Sequence, residues 1–198
     1  MNTATRLAIV AAALPCAFAC GPMDTRSTRT GPPLTAEKSF AAGGRIEMEL
    51  DGGGYEVRPS ADNRVRIATD EHIGDAHVEV TTEGTNARVE AKNTPNQFKA
   101  TIDVPAAADL VIRLKAGELA IGAIAGNKDI DSYAGNITIA VNNPDDYASV
   151  DATLKAGDIR ASAFGGSNSG LMPHFTWSGP GKHTLRADLG AGNLVLKR

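Results

Sequence analysis

The sequence predicts an all-β fold in which N-terminal antiparallel strands lead into a parallel β-solenoid, a β-helix-like stack. Three observations carry that prediction: short period-two alternations of apolar and polar residues, turn clusters rich in Gly, Asp and Asn between them, and an Ala-Gly motif that recurs four times in the second half. Composition agrees, since 21 glycines and 10 prolines against 5% aromatics suit many short strands and turns. The 198 residues fit one domain with a short appendage, and 42% hydrophobic with 22% charged residues excludes wholesale disorder and a polytopic membrane protein. A net charge of -3 and few aromatics leave neither a basic footprint nor a stacking platform, which excludes nucleic acid as a partner.

In chain order, residues 1–19 come first, with Arg6 near the start, an apolar stretch over residues 7–18 and small residues at Ala17 and Ala19. That is the layout of a secretory signal, and the apolar run is shorter than the ~20 residues a spanning helix needs. Ala17-Phe18-Ala19-Cys20-Gly21 resembles a bacterial lipoprotein lipobox, which makes Cys20 the lipidated first residue of the mature chain. Ala17 stands where that motif usually has leucine, so cleavage to a soluble form stays open as the alternative. Both cysteines, Cys16 and Cys20, lie in this region, so a disulfide within the mature chain, a cysteine zinc site and thiol catalysis are excluded. Residues 20–36, rich in Pro, Gly, Thr and Ser, are expected to form a flexible tether ahead of a domain over residues 37–198.

The domain opens with strands. Ile46, Met48 and Leu50 alternate with Arg45, Glu47 and Glu49, the pattern of a half-buried strand. Similar alternations cover residues 55–58, 65–69, 77–81, 88–92 and 99–104, separated by Gly52-Gly53-Gly54, Ala61-Asp62-Asn63, Gly74-Asp75 and Gly84-Thr85-Asn86 at hairpin spacing. No capped 3.6-residue period is sustained after the signal, so little or no helix is expected.

The repeat follows. Ala116-Gly117-Glu118-Leu119, Ala134-Gly135-Asn136-Ile137, Ala156-Gly157-Asp158-Ile159 and Ala191-Gly192-Asn193-Leu194 share one form, with glycine spacings of 18, 22 and 35. A tight corner at one place in each coil needs positive φ, which assigns Gly117, Gly135, Gly157 and Gly192 as corners. Aliphatic residues two apart then point inward and stack on their equivalents. Residues 175–183, with Trp177, read as a hairpin that caps the stack before a last strand ending at Leu196.

The run Gly43-Gly44-Arg45-Ile46-Glu47-Met48-Glu49-Leu50, the strand end Ile102-Asp103-Val104-Pro105, and Leu114-Lys115-Ala116-Gly117-Glu118-Leu119 with its echoes resemble the bacterial putative adhesin family, domain of unknown function 4097. The resemblance covers about residues 40 to 198. It implies an envelope or surface protein with a parallel β-solenoid half and brings no catalytic residues. The 35-residue gap before Gly192 and the Trp177 hairpin depart from a regular repeat.

Chemistry-bearing clusters are sparse. His72 and His77 with Asp70, Glu71 and Asp75 fit no zinc spacing, and residues 142–146 lack the spacing of a calcium loop, so no metal or other cofactor is expected. Glu118 and Asp158 are the carboxylates that a polysaccharide-acting enzyme would pair, and a solvated ridge is the plainer reading. The expected function is a non-enzymatic envelope or surface lipoprotein, exported and held at a membrane through Cys20. It would bind an envelope or extracellular ligand through the outward residues Lys115, Tyr133, Thr138, Lys155 and Arg160. Self-association of an envelope-structuring protein is the alternative.

Overall fold

The period-two segments become strands because each buries one face. In the computed structural model, which describes residues 31–41 and 43–198, thirteen strands form. They are β1 (Thr35–Ser39), β2 (Arg45–Leu50), β3 (Gly53–Ser60), β4 (Arg64–Thr69), β5 (His77–Glu83), β6 (Asn86–Lys92) and β7 (Lys99–Pro105), then β8 (Asp109–Ile121), β9 (Lys128–Ala140), β10 (Tyr147–Ala161), β11 (Gly166–Leu171), β12 (His174–Ser178) and β13 (His183–Lys197). Two 3-10 turns, Pro144–Asp146 and Ser162–Phe164, are the only helical segments among the described residues. The expected signal, Cys20 and the expected tether up to residue 30 lie outside the described residues. Thr35 and Ala36, at the end of the tether segment, pair with β4 as part of β1.

All thirteen strands join one open, mixed sheet. Its centre is the parallel series β8, β9, β13, β10. The register sets Gly117 beside Gly135, Gly135 beside Gly192 and Gly192 beside Gly157, and these glycines hold φ between +125° and +150°. Inward-facing positions change parity across the glycine, from Ile112 and Leu114 to Leu119 and Ile121 in β8, which divides each long strand into a first and a second arm. Ile112, Ile130, Ala187 and Ala152 adjoin one another inside the first arm. Leu119, Ile137, Leu194 and Ile159 do so inside the second, and none of the eight is more than 1% exposed. Each large aliphatic buried this way contributes about 1.5–3 kcal/mol.

The N-terminal half departs from the expected antiparallel strands. β2 runs parallel to the first arm of β8 and β3 parallel to its second arm, with Gly53 beside Gly117. β6 and β7 repeat that arrangement along β2 and β3. Residues 52–54 therefore make the same glycine corner as the long strands rather than a hairpin: Gly53, at φ +154°, turns the chain without reversing it. Residues 93–98 do the equivalent service between β6 and β7, anchored by the Asn93 N–H on Asp51 (2.8 Å) and the Thr94 hydroxyl on the Gly52 carbonyl (2.5 Å). Antiparallel pairing in this half involves β1, β4 and β5.

Residues 175–183 are not a hairpin either. β12 pairs antiparallel with one side of β10 and β13 pairs parallel with the other, so the chain crosses over the start of β10. Gly179, Gly181 and Lys182 donate backbone hydrogen bonds to Ala148, Tyr147 and Asp146 in that crossing. β13 thus returns to a slot between β9 and β10. The 35-residue glycine spacing is this detour through β11 and β12. Antiparallel strands flank the parallel series on both sides, β4, itself edged by β1, and β5 on one, and β11 and β12 on the other. Trp177 lies partly buried at the second end, its ring 4.9 Å from Phe164.

Candidate functional site

Outward side chains of the parallel strands fall into rows because the register is shared. Lys115, Tyr133, Gly190 and Lys155 occupy adjacent positions just before the glycine column, on the outside of the first arm. Tyr133 is 81% exposed. Thr138 and Arg160 lie beyond the column, in the row of Ala120, Thr138, Val195 and Arg160 on the second arm. The five sequence-selected residues are therefore split over two faces by the corner.

Beside Tyr133 an open pocket of about 440 Å³ spans β9, β8, β2 and the end of β6. Tyr133 and Asp131 form one wall, and Lys92 and Asn93 the other. Between them the Lys115 ammonium meets the Asp51 carboxylate at 2.5 Å. Burial works to raise the Asp51 pKa, but the hydrogen bonds from Lys115 and the Asn93 amide, with the charges of Lys115 and Lys92, outweigh it and hold the carboxyl below its ordinary range. Arg113 is held on Asp129 (3.2 Å) and Lys92 on Glu90 (2.7 Å). Asp131, by contrast, is exposed and has no ion-pair partner among the described residues.

The second arm carries a wider trough of about 890 Å³ across β4, β7, β3, β8 and β9. Its floor is small, with Gly54, Ala68, Thr101, Ala120 and Thr138. Its two arginines, Arg58 and Arg66, are both bound to Asp103. Burial again works to raise the pKa of Asp103, and the hydrogen bonds from Arg66 and Arg58 prevail and lower it. Farther along, the Asn193 carboxamide donates to Asn136 at 2.7 Å.

Other sequence-selected groups stay apart. His72 approaches Asp70 (3.5 Å) and His77 approaches Glu79 (3.6 Å), and no group of three potential ligands gathers around a metal-sized site among the described residues. Asn143 is spent capping the first 3-10 turn, accepting from the Asp145 N–H at 3.2 Å. Glu118 and Asp158 are three strands apart through Asn136 and Asn193. At about 4.8 Å per strand this is roughly 14 Å, beyond the ~5–9.5 Å that paired-carboxylate glycoside hydrolysis uses.

Two features escape a reading of the sequence. Leu171 and Met172, 86% and 66% exposed, stand at the capped end, and the Met172 N–H bonds the Lys155 carbonyl. Lys128, which the sequence gives no reason to bury, is 1% exposed. Its ammonium donates to the carbonyls of Ile124 (2.7 Å) and Gly126 (3.1 Å) and to the Tyr147 hydroxyl (2.9 Å). Burial pushes its pKa down to about 8 against the opposing charge of Asp109, while burial pushes Tyr147 up to about 12.

No family model matches the sequence, and no curated protein matches it. Among solved structures, the crystal structure of a "putative cell adhesion protein" from Clostridium sporogenes is similar, with a TM-score of 0.53 at 10% identity over 84% of this chain and 99% of that one. A "putative adhesin" from Parabacteroides distasonis has 14% identity and a TM-score of 0.28, covering 57% of this chain and 58% of its own. Another "putative adhesin", from Bacteroides fragilis, has 9% identity and the same TM-score, covering 86% and 99%. The first of these establishes a shared all-β fold. No described helix is long and apolar enough to cross a membrane.

Proposed function

We propose that this chain is a non-enzymatic binding protein of the cell envelope or surface, exported by the segment at residues 1–19 and held by a lipid on Cys20. Its glycine-cornered strands act as a β-solenoid that presents a fixed outer surface to a ligand. The observation that carries this reading is the row of Lys115, Tyr133, Gly190 and Lys155, in which a rigid parallel register holds an almost fully exposed tyrosine beside an open, mixed-charge pocket. The shared fold with a protein described as a cell adhesion protein supports it, as do the signal-like and lipobox-like residues. Fractionation of cells making the full chain tests the location: the native protein partitions with membranes and Cys20→Ala does not. Equal partitioning of both forms, or retention in the cytoplasm, sinks the anchor.

A second reading, self-association through sheet edges, draws on β11, whose Gly166–Leu171 edge carries no charge and no proline. Sedimentation decides it, with a concentration-independent monomer counting against assembly.

A further inference from the structure

We infer that the pocket between Tyr133 and Asn93 is a binding site for a neutral saccharide; this rests on the envelope-binding reading and names the ligand class of that surface. Among the described Phe, Tyr and Trp residues only Tyr133 is exposed, and it stands at the rim of the pocket. Its phenol presents an apolar face with a polar tip, which suits the C–H face of a sugar ring. Asp131 projects from the same side of β9 two residues earlier, about 7 Å along the strand. A ring stacked on Tyr133 therefore brings its hydroxyls to that carboxylate.

Charge selects among sugars. The pocket is lined by three acids, Glu49, Asp51 and Asp131, and three bases, Lys92, Arg113 and Lys115, so its net charge is zero. Every base is already engaged, Lys115 by Asp51, Lys92 by Glu90 and Arg113 by Asp129, whereas Asp131 has no ionic partner. No cation is left over for a uronate or a phosphate, and the free carboxylate repels one. The paired bases stay largely exposed, so their remaining donors can meet the hydroxyls of a polyhydroxyl ligand. The pocket's volume, about 440 Å³, holds one or two sugar rings. Across it, the exposed Asn93 sits in the left-handed region at φ +56° with its amide fixed on Asp51, which holds the far rim in place.

The test is titration of the isotopically labelled protein with three trisaccharides, a neutral hexose, a galacturonate and an amino-sugar oligomer, read by amide shifts at Asp131, Tyr133 and Lys115. The neutral probe is expected to bind at least tenfold more tightly than the galacturonate. Tyr133→Ala abolishes that binding, and Tyr133→Phe, which keeps the stacking face, retains it. Both variants keep the native unfolding midpoint because the ring is exposed. Preference for a charged probe, no shift with any probe at millimolar concentration, or unaltered binding by Tyr133→Ala overturns the assignment. Binding of the whole protein to envelope fragments distinguishes the two levels: if it persists while no trisaccharide binds, the envelope role stands and this site falls.

Discussion

Replacing Gly135 with alanine probes the glycine column directly. A Cβ at Gly135 would lie 2.0 Å from the Gly117 carbonyl oxygen and 3.0 Å from its carbon and nitrogen, all backbone atoms. Gly135 also holds φ +150°. The conformational strain alone costs about 1–3 kcal/mol. Relieving the contact moves two strands apart by about 1 Å in a close-packed interior, a further cost of about 1–3 kcal/mol in overpacking and weakened ladder bonds. The expected loss is about 4 kcal/mol, which at ~2–4 °C per kcal/mol lowers the melting midpoint by roughly 10–15 °C. Gly170 is the control, since it too has positive φ, +112°, yet a Cβ there has nothing within 4 Å. Gly170→Ala therefore keeps only the strain component and falls by roughly half as much or less. Thermal and urea unfolding followed by circular dichroism measures both. A Gly135→Ala midpoint no lower than that of Gly170→Ala refutes the close approach between strands.

Three further outcomes are expected. Because the folded pKa of Lys128 lies near 8 and its ordinary value is 10.5, the unfolded chain holds this proton to higher pH, so stability rises with pH through that window. Native protein gains about 2 kcal/mol on Lys128→Met from about pH 8 to about pH 10, and parallel stability curves contradict a buried, titrating lysine. Asp103→Asn leaves Arg58 and Arg66 without their carboxylate and costs about 1 kcal/mol at neutral pH. As the Asp103 pKa is lowered, this difference is present above the ordinary carboxylate range and vanishes as pH falls through the folded value; a difference that survives in strong acid contradicts the ion-pair account. Leu171→Ser with Met172→Ser shifts the urea midpoint by no more than about 0.5 kcal/mol of stability, because both side chains are exposed; a larger loss means that they cover core.

How far the fold is readable depends on which contacts are local. Residues 45–50 announce a strand because Ile46, Met48 and Leu50 all face one core. The four Ala-Gly motifs are alike because all four pack against their neighbours at one register. Gly53 occupies the equivalent place without the motif, so the parallel course of β2 and β3 is hidden behind an apparent hairpin. The slot taken by β13 is set by pairing with β9, 57 positions away in register, which no local pattern encodes. Lys128 reads as a solvent residue until the Tyr147 hydroxyl and two return-loop carbonyls surround it. Of the pocket, Tyr133 and Lys115 are visible as outward residues, while Asp51 and Asn93 come from segments that only the fold brings near them.

The most direct measurement is binding of purified protein to isolated envelope fragments, with Tyr133→Ala compared against the second-arm double variant Thr138→Lys with Arg160→Glu. Native protein and the second-arm variant are expected to bind alike, and Tyr133→Ala is expected not to bind. Equal binding by Tyr133→Ala, or loss of binding in the second-arm variant alone, would contradict a ligand site on the first-arm side of the glycine corner.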